Sequence, residues 1–226
     1  MELEKVTEPR RSEDKRRYDD ACGLAHALDL LGERWAMLVL RELAYGPRRF
    51  SDLKTDLQGI SANVLTQRLN ELEDRGLVRK TRLPPPASVQ VYEATEWGLE
   101  VVPLIAALGR WAARSPWHDP TLQMSHVSVM MSLQTLLSPA LAKGLDAHIG
   151  FRFGETSYMA TIRDGRLDVR RGPIEDCSLV FTGAPSAIAA VIHGGAPFEL
   201  IRVEGDMELA KRFVKLFPLP SKVGGS

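Results

Sequence analysis

Two prolines within five residues, Pro116 and Pro120 in the run Ser115-Pro116-Trp117-His118-Asp119-Pro120, interrupt this 226-residue chain near its middle. Proline has no backbone N–H and its ring crowds the preceding turn, so no regular helix passes through such a run. The patterns differ on its two sides. Before it, apolar spacing predicts helices over Cys22–Leu31, Arg34–Ala44, Phe50–Leu57 and Ser61–Arg75, two strands over Leu77–Arg82 and Val89–Glu93, and one long helix over Glu96–Ala113. After it come a helix over Leu122–Leu141, three or four alternating strands, and two short helices over Pro185–His193 and Met207–Leu216. Asp164-Gly165 stands between Tyr158–Ile162 and Leu167–Val169, which predicts a hairpin with a primed turn. The expected organisation is α+β, with a polar arm at 1–20, one domain at 21–115 and a second at 120–218.

Ser61–Gly76 carries the sharpest functional signal. Ser61 is a good N-cap and Gly76 a good stop, while Leu65, Leu69 and Leu72 share one helical face with Ala62 at its border. The other face then presents Asn63, Thr66, Gln67 and Asn70, neutral amides and a hydroxyl suited to base edges and phosphates. Phe50, Leu53 and Leu57 make a preceding short helix, and Gln58-Gly59 supplies the turn between the two. Arg79, Lys80 and Arg82 fall on the following hairpin, where a wing would touch phosphates or the minor groove.

Net charge does not announce this chemistry, because 29 basic side chains balance 29 acidic ones. Residues 48–82 nevertheless hold eight basic side chains against five acidic ones, a local charge of +3. The expected DNA-contacting set is Arg48, Arg49, Ser61, Asn63, Thr66, Gln67, Arg68, Asn70, Arg79, Lys80 and Arg82. A lone amphipathic helix with surface amides has no such meaning; the ordered series of helix, turn, helix and wing does.

The motifs Cys22–Trp35, Leu40-Arg41-Glu42-Leu43, Gly46–Leu53, Gly59-Ile60-Ser61, Leu65–Leu69, Glu71-Leu72 and Gly76-Leu77-Val78 resemble the HxlR-type winged helix-turn-helix regulators over roughly the first half of the chain. The resemblance implies a homodimer that places two recognition helices on a pseudo-palindromic double-stranded operator. Its dimer helices would be Cys22–Leu31 and Glu96–Ala113, the latter carrying Trp97, Val101, Leu104, Ile105, Leu108 and Trp111. One departure touches the wing: the family has an arginine after its prolines, where this chain has Ser88-Val89-Gln90. Cys22 aligns with a cysteine that senses oxidants or electrophiles in some members. Those have proline next, whereas Gly23 follows here, and the residues favour a buried, inert thiol over a redox sensor.

The second half resembles the sterol carrier protein-2-like (SCP2-like) fold more loosely, through its turn placement, helix order and the Gly205-Asp206 pair before the last helix. Such domains hold an apolar ligand between a sheet and its helices. The expected lining is Met124, Val127, Met130, Met131, Leu133 and Leu137, closed by Tyr158, Phe181, Phe198, Phe213 and Phe217; Leu136 lies on the same surface. Plain core packing is the competing account of each of these side chains. The whole then reads as a ligand-responsive repressor whose second domain senses a hydrophobic small molecule. The alternative is a lipid or hydrophobic-metabolite carrier with a dimerising winged-helix module.

Enzyme chemistry finds no support: phosphate-loop, dinucleotide, nucleophile-elbow and zinc-protease motifs are all missing, and no cofactor or metal is expected. His118, Asp119 and His126 read as a polar linker, not as metal ligands. Cys22 and Cys177 are far apart, which fits a reducing cytoplasm. The uncharged stretch Thr121–Ala142 contains too many polar side chains and a proline to be a membrane span.

Overall fold

The structure, a computed structural model, describes residues 18–224, so most of the expected polar arm lies outside the described residues. Four helices open the chain: α1 (Gly23–Leu31), α2 (Ala36–Leu43), α3 (Phe50–Asp56) and α4 (Ala62–Asp74). The Ser61 hydroxyl accepts the Val64 N–H at 3.2 Å and starts α4, and Gly76, at φ 72°, ends the turn beyond it. Leu65, Leu69 and Leu72 are fully buried, as their spacing predicts, whereas Ala62 is exposed. A hairpin follows, with β1 (Val78–Arg82) antiparallel to β2 (Gln90–Ala94). Arg48 adds a third, one-residue rung by exchanging backbone hydrogen bonds of 2.8 Å with Tyr92.

The long helix expected over Glu96–Ala113 is two helices, α5 (Glu96–Glu100) and α6 (Val102–Ala112). Pro103 has no N–H to continue a helix through Val101, yet suits the first turn of a new one. The Thr95 hydroxyl caps α5 by accepting the Gly98 N–H at 3.0 Å. Gly98 lies so close to the hairpin that an added Cβ would sit 2.1 Å from the Leu77 carbonyl oxygen.

Beyond the double-proline run, α7 (His126–Leu136) is shorter than the predicted Leu122–Leu141. Ser125 caps it by accepting the Ser128 N–H at 3.0 Å, and Pro139 disfavours helical backbone at Ser138. Next come β3 (Ala147–Phe153), β4 (Thr156–Arg163), β5 (Arg166–Arg171), β6 (Leu179–Thr182), α8 (Pro185–Gly194), β7 (Arg202–Gly205) and α9 (Met207–Phe213). The strands form one sheet in the order β5-β4-β3-β6-β7, parallel only between β3 and β6. Asp164 and Gly165 both have positive φ, which makes the expected primed turn between β4 and β5. Gly205, at φ 102°, brings its α-carbon against the chain at Ser178, where a Cβ would meet the carbonyl oxygen at 2.2 Å. Asp206 then caps α9 through the N–H groups of Glu208 and Leu209.

Two apolar cores result. One joins α2, α3, α4 and the hairpin through Val39, Leu40, Leu53, Leu65, Leu69 and Val78; the other is packed between the five-stranded sheet and α7, α8 and α9. The second core takes in most residues of the expected ligand lining. Met130, Leu133, Tyr158, Phe181, Phe213 and Phe217 are its packed centre, with Met124, Leu137 and Phe198 packed against it, and Val127 and Met131 are buried as well. Phe213 and Phe217 stack edge to face at 4.8 Å, and Phe181 lies 5.7 Å from Phe213, so these rings pack directly on one another.

The cores meet through polar contacts. Arg48, only 6% exposed, directs its guanidinium to the Asp56 carboxylate and lies 3.0 Å from His126 Nε2. Nε2 is 3.4 Å from Asp56, and His126 Nδ1 is 2.7 Å from the Tyr158 hydroxyl. Glu42, fully buried on α2, accepts the Ser125 hydroxyl at 2.7 Å and pairs with Arg41 at 2.7 Å. Tyr45 donates to Gln134 at 2.5 Å and places its ring edge on Tyr158. His126 is thus a buried junction residue, which corrects its reading as part of a polar linker. Burial works to raise the Asp56 carboxyl, but the hydrogen bond with His126 and the Arg48 charge outweigh it and hold the group below the ordinary aspartate value.

A carboxyl with a lowered folded-state pKa adds stability above its unfolded value and loses it as pH falls through the folded value. Asp56→Asn should therefore cost about 1.5–3 kcal/mol at neutral pH. The gap between variant and parent should close as the pH drops through the folded value. Urea denaturation at a series of pH values measures this; a pH-independent gap would refute it.

Candidate nucleic-acid interface

Helix α4 presents Asn63, Thr66, Gln67 and Asn70 on one exposed face, with Ser61 exposed at its start. The same periodicity that buries the leucines turns these side chains outward. The Gln67 amide donates to Glu71 at 2.9 Å, which orients it along the helix. An uncharged surface of this kind offers donors and acceptors of the type that pair with base edges.

Positive charge enters from the hairpin. Arg79, Lys80 and Arg82 are exposed on β1, alternating in direction along the strand. Arg79 pairs with Glu93 across the hairpin at 2.8 Å yet keeps 64% of its side chain exposed, and Lys80 lies over the Tyr92 ring at 5.8 Å. Arg82 donates to the Ser88 carbonyl at 3.0 Å and so ties the base of the proline loop to the strand. Arg49 is exposed at the start of α3, where its backbone N–H donates to the Asp52 carboxylate at 3.2 Å.

Two of the expected DNA contacts are corrected. Arg48 is committed to Asp56 and His126 at the junction of the cores. Arg68 is 5% exposed and pairs with Glu71 and, at 3.5 Å, with Glu33. Both guanidiniums neutralise buried or half-buried carboxylates within the fold, so neither is presented to a phosphate. What the residues alone did not signal is the cross-chain set Glu42, Tyr45, Asp56, Ser125, His126 and Arg171; the partners are too far apart in sequence for any spacing rule to join them.

Residues 30–119 match the family model of the HxlR-like helix-turn-helix proteins. The uncharacterized HTH-type transcriptional regulator YvaP of Bacillus subtilis (strain 168) is 34% identical over 95 residues, which span 42% of this chain and 86% of YvaP. The chain belongs to the HxlR-like helix-turn-helix family. Another similar relative, the HTH-type transcriptional regulator YodB of the same organism, is 34% identical over 86 residues, covering 38% of this chain and 77% of YodB. Among solved structures, the reduced form of B. subtilis YodB matches at 30% identity, covering 44% of this chain and all of that chain, with a TM-score of 0.39. This HxlR-like protein is a transcriptional regulator with a helix-turn-helix DNA-binding domain, and its relatives are regulators and not enzymes. Among the described residues no helix is long and apolar enough to cross a membrane.

Cys22 is exposed, which corrects the expectation of a buried thiol. It stands at the N-cap of α1, where the backbone N–H groups of Leu24 and Ala25 lower its pKa by stabilising the thiolate. Cys177 is half-buried, and burial, with the Asp176 charge behind it, pushes that thiol up. Iodoacetamide should therefore alkylate Cys22 first and reach half its maximal rate at a lower pH than at Cys177. Mass spectrometry of the two peptides over a pH series tests this, and equal pH profiles would contradict it.

Proposed function

We propose that this HxlR-like regulator is a homodimeric repressor that responds to a small molecule through its second half. The single observation that carries the DNA-reading part is the exposed Asn63, Thr66, Gln67 and Asn70 row beside a basic hairpin. In this reading Ser61 and that row meet base edges and nearby phosphates, and Arg49, Arg79, Lys80 and Arg82 hold the backbone.

Dimerisation is supported by an apolar surface left exposed among the described residues. No residue of α6 is buried, and Leu104 and Trp111 are 61% and 72% exposed, with Leu24 and Leu28 exposed on α1. Contiguous apolar area of this kind marks an association surface. The proposed division is a DNA-binding and dimerisation domain at 21–115 and a second domain at 120–218, with a core on either side of the double-proline run in support. For the second domain we favour the SCP2-like fold, on the strand order β5-β4-β3-β6-β7 and the Gly205-Asp206 turn into α9. An apolar ligand would have to part the aromatic core there, with the flexible Met130 and Met131 as the side chains most able to yield. The junction through Arg48, Asp56 and His126 supplies the physical route from that domain to α3.

Gln67→Ala should lower the ratio of specific to nonspecific DNA affinity by about 1–3 kcal/mol, whereas Arg79→Ala should weaken all sequences alike and flatten the salt dependence. Footprinting on genomic fragments followed by fluorescence-anisotropy titrations measures both. A uniform loss for Gln67→Ala would remove it from base reading. Leu104→Glu combined with Trp111→Ala should convert the dimer to a monomer in sedimentation at micromolar concentration and abolish high-affinity binding. Unchanged sedimentation would move the interface elsewhere.

A further inference from the structure

At the junction of the two cores a cleft of about 720 Å³ separates the start of α3 from the β3–β4 turn and the end of β5. That volume suits a small molecule of metabolite size. Arg48, Arg49 and Arg171 reach it, together with Asp52, Asp56, His126 and Glu155. Formal charges balance, but their commitments differ.

Asp56 is taken by Arg48 and His126. Asp52 accepts the Arg49 backbone N–H, lies 3.4 Å from the Ser51 hydroxyl and sits 4.0 Å from Arg48 Nε. Glu155 stands exposed on the β3–β4 turn, solvated at the rim. On the cationic side, Arg171 is half-buried, and the bond it makes is from Nη2 to the Pro47 carbonyl at 2.5 Å. Among the described residues no carboxylate lies within ion-pairing distance of Arg171 or Arg49. Burial, with the neighbouring Arg48 charge behind it, works against the Arg171 cation and outweighs the opposing influence of Tyr158 and of the more distant Asp52 carboxylate. The Thr156 and Ser157 hydroxyls line the same wall and have no hydrogen-bond partner among the described residues.

We propose that this cleft binds the oxyanion of a small organic metabolite, a carboxylate or phosphate group held in a fork by Arg171 and supported by Arg49 and the Thr156 and Ser157 hydroxyls. A half-desolvated guanidinium without a carboxylate gains more from an anion than a surface one does, because water competes less for it. Leu83, Val91 and Pro173 supply apolar wall for the carbon skeleton. The proposal rests on the ligand-responsive reading and replaces its apolar ligand with a charged one. It also gives that reading a lever: Arg171 holds Pro47, which directly precedes Arg48 and the start of α3, so drawing the guanidinium toward a ligand changes the contact that seats the DNA-reading unit on the sheet.

The test uses the full chain with inorganic phosphate and with succinate as separate probes, each compared with sodium chloride at matched ionic strength, and follows thermal stabilisation and backbone amide NMR shifts. At least one probe should bind saturably in the millimolar range, with shifts centred on residues 47–56, 155–157 and 171–173. Arg171→Gln should weaken it at least tenfold, whereas Arg163→Gln, which breaks an exposed pair with Asp146 outside the cleft, should leave it unchanged. Should the glutamine variant not fold, Arg171→Lys keeps the charge, loses the fork and should still weaken binding. Binding of phosphate alone or of succinate alone upholds the site and names its group. No saturable binding of either probe, or equal binding by the Arg171 variant, overturns it. Operator affinity with the bound probe is read separately. Unchanged affinity with the probe bound leaves the site standing and defeats the ligand-responsive reading, while operator release by another extracted molecule without anion binding does the reverse.

Discussion

A single guanidinium holds the two cores in register. Arg48 is backbone-paired to Tyr92 of the hairpin, side-chain-paired to Asp56 at the far end of α3, and in contact with His126 at the first turn of α7. Removing one member of such a buried cluster leaves the others desolvated and unpaired, which costs more than the cluster contributes when complete. The position of α3, the seating of the hairpin and the approach of α7 to the first core therefore depend on one another. Burial also pushes the Tyr158 hydroxyl up, so it stays protonated against the imidazole over the whole physiological range.

Most of the DNA-reading unit was legible from residue order alone. Ser61 and Gly76 mark the ends of α4 by mechanisms that act within a few residues, and leucine spacing defines which face is covered. Local chemistry of this sort survives the passage from chain to fold. The break at Val101 was harder to see, because Pro103 occupies a position that tolerates proline and the apolar pattern runs on through it. The sheet has five strands where three or four were expected, and β7 is hard to see for a related reason: it is four residues long, and arginine and glutamate alternate in it with Val203.

Misreadings elsewhere have a shared physical origin. Arg48 and Arg68 look like any surface cations in a basic stretch, and only their carboxylate neighbours, supplied by Asp56 for one and by Glu33 and Glu71 for the other, take them out of reach. The aromatic and methionine side chains of the second half could enclose a space or fill it, since composition is the same in both cases. Tertiary packing distinguishes the two, and here the rings contact one another with centroids 4.8–6.3 Å apart. The junction itself was invisible because its partners lie 78, 83 and 124 residues apart along the chain.

Among the described residues helix α6 packs on α2 and α7 without fully burying any of its side chains. Arg110 near its end donates to the Thr135 carbonyl of α7 at 2.8 Å, while a flank with Leu104, Leu108 and Trp111 stays exposed. If two copies meet along that flank, the distance between their recognition helices is set by a strut that the second half already braces. The length of operator spanned would then be a mechanical property of the whole chain, adjustable by anything that tilts α7 without touching a base-reading side chain.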